Sequence, residues 1–182
     1  MDGEHSQVNF RAYQTADFDQ VASLWTRINR ELAPVDEREL FEAYIATAID
    51  GELTRLLDIF SEAKRNAFWV VASETQIVGS FGIQSCSPEC TELRRMYLDI
   101  GFRGRGIAQA MLDFALTRAR DFGFSKMILS TAEIQKAAAR FYRKSGFVHT
   151  RTEIADIATT KQAGGGLARQ YFERSLDEGN VP

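Results

Sequence analysis

Cysteine, proline and histidine are scarce in this chain of 182 residues, which has two, three and two of them. Cys86 and Cys90 stand four residues apart around Pro88 without a cluster of histidines, so the sequence does not support a zinc site. A disulfide across this loop stays open, but a chain of this size does not need one, and reduced thiols in the cytoplasm are the simpler interpretation. We therefore predict no metal and a cytoplasmic location.

Long apolar runs and a basic excess are also lacking. No stretch approaches the roughly 18 apolar residues of a membrane span, and the segment from Met1 to Gln7 is polar and acidic, unlike a signal peptide. The formal net charge is −3, which argues against a nucleic-acid surface because such a surface needs a basic excess or stripe. We expect a globular protein with neither a membrane nor a nucleic acid as partner.

The length predicts one domain over residues 1–182, with a core from 8 to 176 and frayed tails at 1–7 and 177–182. Apolar periodicity predicts strands at 8–13, 68–72, 77–83, 91–98, 125–131, 147–158 and 167–176. It predicts three helices between about 15 and 63, and two more at 107–122 and 135–144. The fold class is therefore α/β: a mixed, mostly antiparallel sheet with one parallel crossover and helices on both faces.

A short basic turn, Arg103 to Ala108, joins the strand that ends at Leu98 to the helix that begins at Ile107. The first N–H groups of a helix lack internal partners and the helix dipole is positive there, so this turn could hold an anion. Gly104 and Gly106 lack the Cβ atoms that would hold a phosphate away. Taken alone, the turn is equally well explained as a structural helix start.

Two nucleotide-binding motifs fail at this turn. The dinucleotide fingerprint G-x-G-x-x-G/A, starting at Gly104, meets Gln109 at its third position. A P-loop needs Lys and Ser or Thr after its last glycine, where Ile107 and Ala108 stand. The pattern that fits is Arg/Gln-x-x-Gly-x-Gly/Ala, as Arg103-Gly104-Arg105-Gly106-Ile107-Ala108. It resembles the coenzyme A signature of the GNAT family of N-acetyltransferases.

A second pattern places four residues at helical spacing on one helix face: Gln135, Ala138, Ala139 and Tyr142. The alanines leave room for a slender chain, and a phenol with the ordinary pKa of about 10 is protonated at neutral pH. The pattern resembles the family's Asn-x-x-Ala-x-x-x-Tyr-x-x-x-Gly-Phe, with glutamine in place of asparagine. Tyr142 alone is better explained as a core residue, but the two motifs in order favour the family.

The resemblance extends over residues 8 to 176 and implies the GNAT fold, with acetyl-coenzyme A as the co-substrate. It implies that the 103–108 turn, including Arg105, binds the pyrophosphate. It also implies that Met96, Tyr97 and Leu98, on a bulged strand that splays from its neighbour, bind the pantetheine arm and orient the thioester. Gln135, Ala138 and Ala139 would border the cofactor, and Tyr142 would protonate the departing thiolate.

Glu92 is the leading candidate for the base that takes a proton from the attacking amine. An outward-facing strand residue is an equally good interpretation of it, and ordered water could replace a protein base. Glu133 and His149 are fainter candidates. Neither cysteine has an activating partner near the motif, so direct transfer in a ternary complex is favoured over an acyl-enzyme.

The acceptor is expected to be a primary amine of a small molecule or of a peptide N-terminus, which no motif identifies. The resemblance places its site at about residues 24–60 and 155–170. The mild acidity of the chain favours a cationic acceptor slightly, and a homodimer is left open as a further partner. The competing interpretation is a non-catalytic coenzyme A sensor or a structural domain of the same fold.

Overall fold

The computed structural model describes residues 7–159 and 161–177. Within them a single sheet contains seven strands: β1 (Val8–Ala12), β2 (Ala67–Ser73), β3 (Gln76–Ser85), β4 (Cys90–Leu98), β5 (Lys126–Ala132), β6 (Val148–Ala155) and β7 (Leu167–Ser175). The helices are α1 (Phe18–Leu32), α2 (Arg38–Gly51), α3 (Leu56–Ile59), α4 (Ile107–Asp121) and α5 (Lys136–Lys144). The strand order is β1-β2-β3-β4-β5-β7-β6, and only β4 and β5 pair in parallel within this sheet. The predicted mixed, mostly antiparallel sheet is confirmed.

Helices cover both faces of the sheet, because successive side chains of a strand point to opposite sides. Val70 of β2 lies in one apolar core with Leu24 of α1. The next residue, Val71, lies in the other core with Leu112 of α4. Both valines are fully buried, so the sheet is covered on each side at β2.

The last of the three helices predicted between about 15 and 63 is not continuous. Only α3 is α-helical, with one 3-10 turn before it and another after it. The chain leaves the helix at Phe60, and the Asn66 side chain donates to the carbonyl of Ile59 at 2.7 Å. This side chain satisfies a carbonyl that another helical turn would have used, so the expectation of one long helix was wrong.

The two parallel strands separate after a short contact. β4 and β5 pair only at Cys90–Glu92 and Lys126–Ile128. Beyond these residues β4 stays paired with β3, and β5 stays paired with β7. A gap therefore opens between residues 93–98 and 129–132, and the backbone groups that face it lack the partners of a continuous ladder.

β4 also carries a bulge beside this gap. β3 has one residue, Phe81, where β4 has two, Arg95 and Met96. Arg95 has a φ of 52°, in the left-handed region that a residue with a Cβ rarely adopts. The bulge and the splayed strands implied by the resemblance are both present.

Candidate active site

The gap between β4 and β5 opens into a cleft of about 1000 Å³, a volume that includes space open to solvent. Its other walls are the helices α1 and α2, the loop between β6 and β7, and the start of β7. Six of the predicted site residues line the cleft: Glu92, Met96, Tyr97, Gln135, Ala138 and Tyr142. The cleft thus joins β4 to the second predicted motif, whereas Leu98 and the residues of the 103–108 turn are not among its lining residues.

Tyr142 reaches across the gap from α5. Its hydroxyl donates to the sulfur of Met96 on the bulge at 3.7 Å, while its ring packs beside Phe147 and Phe172. Burial raises the pKa of Tyr142 well above its ordinary value, and negative charge on nearby Tyr97 raises it further. The phenol is therefore protonated at neutral pH and can act as a proton donor toward β4.

The bulge is held by a buried group of charges. Glu52, at the end of α2, accepts hydrogen bonds from Arg94 at 2.8 Å and from Arg95 at 2.7 Å. Arg95 also donates to the Tyr44 hydroxyl at 2.7 Å, and its guanidinium lies over the Trp25 ring. These contacts stabilise the left-handed conformation of Arg95. Glu52 could not be predicted from the sequence, because a glutamate at a helix end has no pattern that indicates an arginine partner 42 residues later.

The two phenols beside Arg95 have opposite pKa shifts. Burial raises the pKa of Tyr44 to about 12. Burial also acts to raise the pKa of Tyr97, but the Arg95 guanidinium and three hydrogen bonds outweigh it, so that this pKa lies below its ordinary value. Tyr97 lines the cleft, so it adds an ionisable side chain to a position for which only a cofactor contact was predicted.

Glu92 lies where the two strands part. Its backbone is in the last pair with β5, opposite Ile128. Its carboxylate forms an ion pair with Lys161 of the β6–β7 loop at 2.5 Å, and its side chain is only 12% exposed. It is therefore not an outward-facing strand residue. The fainter candidates, Glu133 and His149, are exposed and do not line the cleft.

The glycine turn presents unused N–H groups at the start of α4. Gly104 and Gly106 have φ values of 75° and 77°, and a Cβ on either would meet nothing within 4 Å. The first helical hydrogen bond runs from Ala110 to Gly106. Within the described parts of the chain, the N–H groups of residues 104–108 donate to no backbone or side-chain acceptor. The turn therefore offers several donors to an anion, as a phosphate site requires.

The two arginines of the turn differ in their contacts. Arg103 donates from Nε to the carbonyl of Leu98 at 2.9 Å, and its guanidinium lies 3.6 Å from the Glu31 carboxylate. It ties the turn to the end of β4 and to α1. Arg105 is exposed and lies over the Phe102 ring. To make the predicted phosphate contact, Arg103 would have to bind the phosphate while its guanidinium also contacts Leu98 and Glu31.

The residues predicted to share one face of α5 do not all face the cleft in the same way. Gln135 precedes the first helical residue, and its side-chain oxygen accepts from the Ala132 N–H at 3.1 Å and from the Thr131 hydroxyl. The N–H bond fixes the amide orientation, so the amide nitrogen is left for the cleft. Ala138 lines the cleft, whereas Ala139 is buried in the core and does not.

The cysteines take no part in the cleft. Cys86 donates to the carbonyl of Cys90 at 3.1 Å, and the two thiols are not bonded to each other. Burial raises the pKa of Cys90 to about 12, which disfavours its thiolate as a nucleophile. No group of side chains suited to a metal ion occurs among the described residues. The described helices are all too short or too polar to cross a lipid bilayer.

Residues 25–147 match a family model, the acetyltransferase (GNAT) family. The chain belongs to this family. The match begins in α1 and ends just after α5, so it includes the glycine turn, the bulge and Tyr142.

Curated relatives of this GNAT chain are also acetyltransferases or named for an acetylated product. An uncharacterized N-acetyltransferase of Escherichia coli K12, YjgM, is 33% identical over 57% of this chain and 63% of its own length. The N-acetylaspartate synthetase of Danio rerio is 30% identical over 75% of this chain and 48% of its own length. The chain spans less than two thirds of the length of these relatives.

Solved structures show the GNAT fold. A GNAT acetyltransferase of Staphylococcus aureus Mu50 superposes with a TM-score of 0.72 over 93% of this chain and 99% of that one, at 17% identity. The yncA protein of Salmonella typhimurium, solved with its cofactor acetyl-CoA, gives a TM-score of 0.71 over 97% and 98%, at 16% identity.

Proposed function

We propose that this GNAT chain transfers an acetyl group from acetyl-coenzyme A to a primary amine, by direct attack in a ternary complex. The observation that carries the proposal is the position of Tyr142, whose hydroxyl contacts the Met96 side chain at the bulge of β4 across an open gap. A buried, protonated phenol beside a break in a sheet is suited to protonate a leaving group held there.

Two features of the chain are suited to two parts of the coenzyme. We assign the pyrophosphate to the free N–H groups of residues 104–108, and the arm to the gap that Met96, Tyr97, Leu98, Gln135 and Ala138 border. When bound, acetyl-coenzyme A supplies the thioester that donates the acetyl group. A backbone N–H of the bulge would polarise the thioester carbonyl, and Tyr142 would return a proton to the sulfur. Ala139 would support α5 from the core.

Glu92 is our proposed base. Its largely enclosed carboxylate lies in the same cleft as Tyr142, and it belongs to β4, across the gap from α5. It would accept the proton of the acceptor's ammonium, directly or through one water. For this the Lys161 ammonium must leave it, and an acceptor ammonium would take the same position.

The charge of the cleft favours an acceptor that carries a carboxylate as well as an amine. Four cationic side chains line the cleft, and Glu92 is the one carboxylate among the described lining residues: Arg94, Arg95, Lys161 and Arg169 are the cations. Glu52, behind the wall, is shared by two of them. The local excess of positive charge outweighs the mild acidity of the whole chain, because salt screens distant surface charges while charges inside the cleft are screened much less.

Arg169 is the side chain best placed to bind that carboxylate. It is half-buried at the start of β7, and within the described ranges it donates to the hydroxyl and carbonyl of Ser130, at 2.9 and 3.3 Å. It has no carboxylate partner among the described residues. A guanidinium can bind a carboxylate through two parallel hydrogen bonds. One relative is named for making N-acetylaspartate, an acetylated amine with carboxylates, which agrees with this acceptor class.

Calorimetry with acetyl-coenzyme A and an assay of released thiol would test the proposal. The acceptors would be matched pairs, each an α-amino acid and the amine formed by removing its carboxylate, such as phenylalanine and phenethylamine. We expect binding, thiol release, and at least a tenfold higher kcat/KM for the acid-bearing member. Binding without release for any amine would favour the non-catalytic sensor, and no binding would overturn the proposal. Equal kcat/KM values for the two members of each pair would reject the proposal that the cleft recognises a carboxylate on the acceptor.

Location and assembly complete the proposal. We propose a cytoplasmic protein, supported by two thiols that are not joined in a disulfide. A homodimer stays a proposal, to be checked by sedimentation equilibrium.

A further inference from the structure

The β6–β7 loop places a primary amine in the cleft. Lys161 belongs to this loop, and its ammonium is paired with the Glu92 carboxylate. The chain has five lysines, and Lys161 is the one that lines the cleft; the others are Lys64, Lys126, Lys136 and Lys144. The amine of Lys161 therefore contacts Glu92, the same carboxylate that is proposed to take a proton from the acceptor.

The loop has a defined shape that keeps Lys161 there. Thr159 and Gln162 form an isolated β-bridge, and the Lys161 N–H donates to the Thr159 hydroxyl at 3.1 Å. Three successive glycines follow with positive φ, and a Cβ on Gly164 would lie 2.6 Å from the Ala158 nitrogen. The position of Lys161 thus depends on local hydrogen bonds and glycine geometry, and not on the ion pair alone.

We propose that Lys161 is acetylated by the chain's own active site, an inference that rests on the proposed acetyltransferase function. Glu92 would take the proton from the Lys161 ammonium. The nitrogen lone pair would then form a bond to the thioester carbonyl carbon while the carbon–sulfur bond breaks. The coenzyme A thiolate would leave with the proton of Tyr142, and the nitrogen would lose its second proton, which restores the Tyr142 phenol through solvent. The proton on Glu92 would pass to solvent, and no oxidation or reduction is involved. The products are Nε-acetyl-Lys161 and coenzyme A.

Acetylation of Lys161 would also change the charge of the cleft. The ammonium would become a neutral amide, so the ion pair with Glu92 would be lost. Glu92 would then be free for the ammonium of an added acceptor. Lys161 is 47% exposed, so the acetylated side chain can turn out to solvent.

The test incubates the purified full chain with acetyl-coenzyme A and no acceptor, and follows every lysine by peptide mass spectrometry. Acetylation stops trypsin after Lys161 and yields the peptide 152–169. We expect Lys161 to react at least tenfold faster than Lys126, a surface lysine near Glu173, with a first-order rate that a tenfold dilution of the protein leaves unchanged. A rate no higher than that of Lys126, or one that falls with dilution, overturns the proposal.

Variants separate this reaction from chemical background. Tyr142→Phe should slow Lys161 at least tenfold and leave Lys126 unchanged, because only the first reaction uses the site. Lys161→Gln, which mimics the neutral product, should lower KM for an added acceptor more than Lys161→Arg, which keeps the charge. Thiol release to added amines with Lys161 unmodified would reject this inference alone. No thiol release and no acetyl-Lys161 would reject the proposed function with it.

Discussion

The hydroxyl of Tyr142 is a single oxygen whose role can be isolated. It contacts Met96 and has no other recorded partner among the described residues, so Tyr142→Phe removes a proton donor with little change in packing. We expect turnover to fall at least tenfold, about 1.4 kcal/mol of barrier, while the Kd for acetyl-coenzyme A stays within about twofold. Steady-state kinetics and calorimetry measure the two quantities.

A matched control lies in β7. Tyr171→Phe makes the same chemical change at a tyrosine that does not line the cleft, and its turnover should stay unchanged. Normal turnover in Tyr142→Phe would remove Tyr142 as the acid, and an equal loss in both variants would point to a general packing effect.

A second residue-scale prediction concerns stability at low pH. The Arg11 guanidinium donates to both oxygens of buried Asp17 at 2.7 Å and holds the pKa of that carboxylate below its ordinary value. This stabilisation is present above the unfolded-state pKa of about 4 and is lost as pH falls through the lower folded-state value. Because Arg11 is 38% exposed, we expect Asp17→Asn to cost only about 1 kcal/mol at pH 7.

Urea denaturation at a series of pH values measures this difference. The difference in unfolding free energy between Asp17→Asn and the unaltered chain should narrow as the pH falls below about 4, the ordinary pKa of an aspartate. Asp19→Asn, at an exposed position in the first turn of α1, should show a smaller difference at pH 7. A difference that stays constant as the pH falls would mean that the ion pair is not its source.

At the scale of elements, α4 offers an internal comparison between its two ends. Gly106 precedes its first residue and Gly123 follows its end, with φ values of 77° and 79°, and a Cβ would meet nothing at either. Alanine should therefore cost a similar amount of stability at both, about 1 kcal/mol. Only Gly106→Ala should weaken acetyl-coenzyme A binding, by about tenfold, because its Cβ enters the space beside the free N–H groups. Equal affinities in calorimetry would place the phosphate elsewhere.

The elements were predictable where apolar periodicity was strong, as in α4 and the strands around it. The break after α3 was not, because it depends on Asn66 reaching back to Ile59. The bulge at Arg95 followed only from the family resemblance, since a left-handed arginine has no signature in the chain itself. Its supports, Glu52 and Tyr44, come from a helix about 40 to 50 residues earlier.

At the scale of the molecule, the candidate site also has parts that could be predicted from the sequence and parts that depend on tertiary contacts. Met96 and Tyr142 could be brought together before the structure was known, because the family resemblance places both at the thioester. Arg169 and Lys161 could not, because each enters the cleft through the register of β7 or the shape of a loop. The acceptor side of the cleft is built from such tertiary contacts, which is why the donor was predictable and the acceptor was not.

In the described part of the molecule, the strands β1–β4 and the strands β5–β7 are joined within the sheet at three residue pairs, so a ligand that fills the gap should hold the two parts of the sheet together. At 100 times its Kd, acetyl-coenzyme A should add about 2.7 kcal/mol of stability, which is about 5–10 °C in Tm for a domain of this size.

With acetyl-coenzyme A bound, hydrogen exchange should slow at residues 93–98, 104–108 and 129–132, and stay unchanged in β1. ADP has the pyrophosphate without the arm, so at the same saturation it should protect residues 104–108 alone. Protection of residues 129–132 by ADP would show that closure of the gap does not need the arm. Equal exchange at 104–108 with and without either ligand would contradict the phosphate site itself, because the N–H groups there are free to exchange in the unliganded chain.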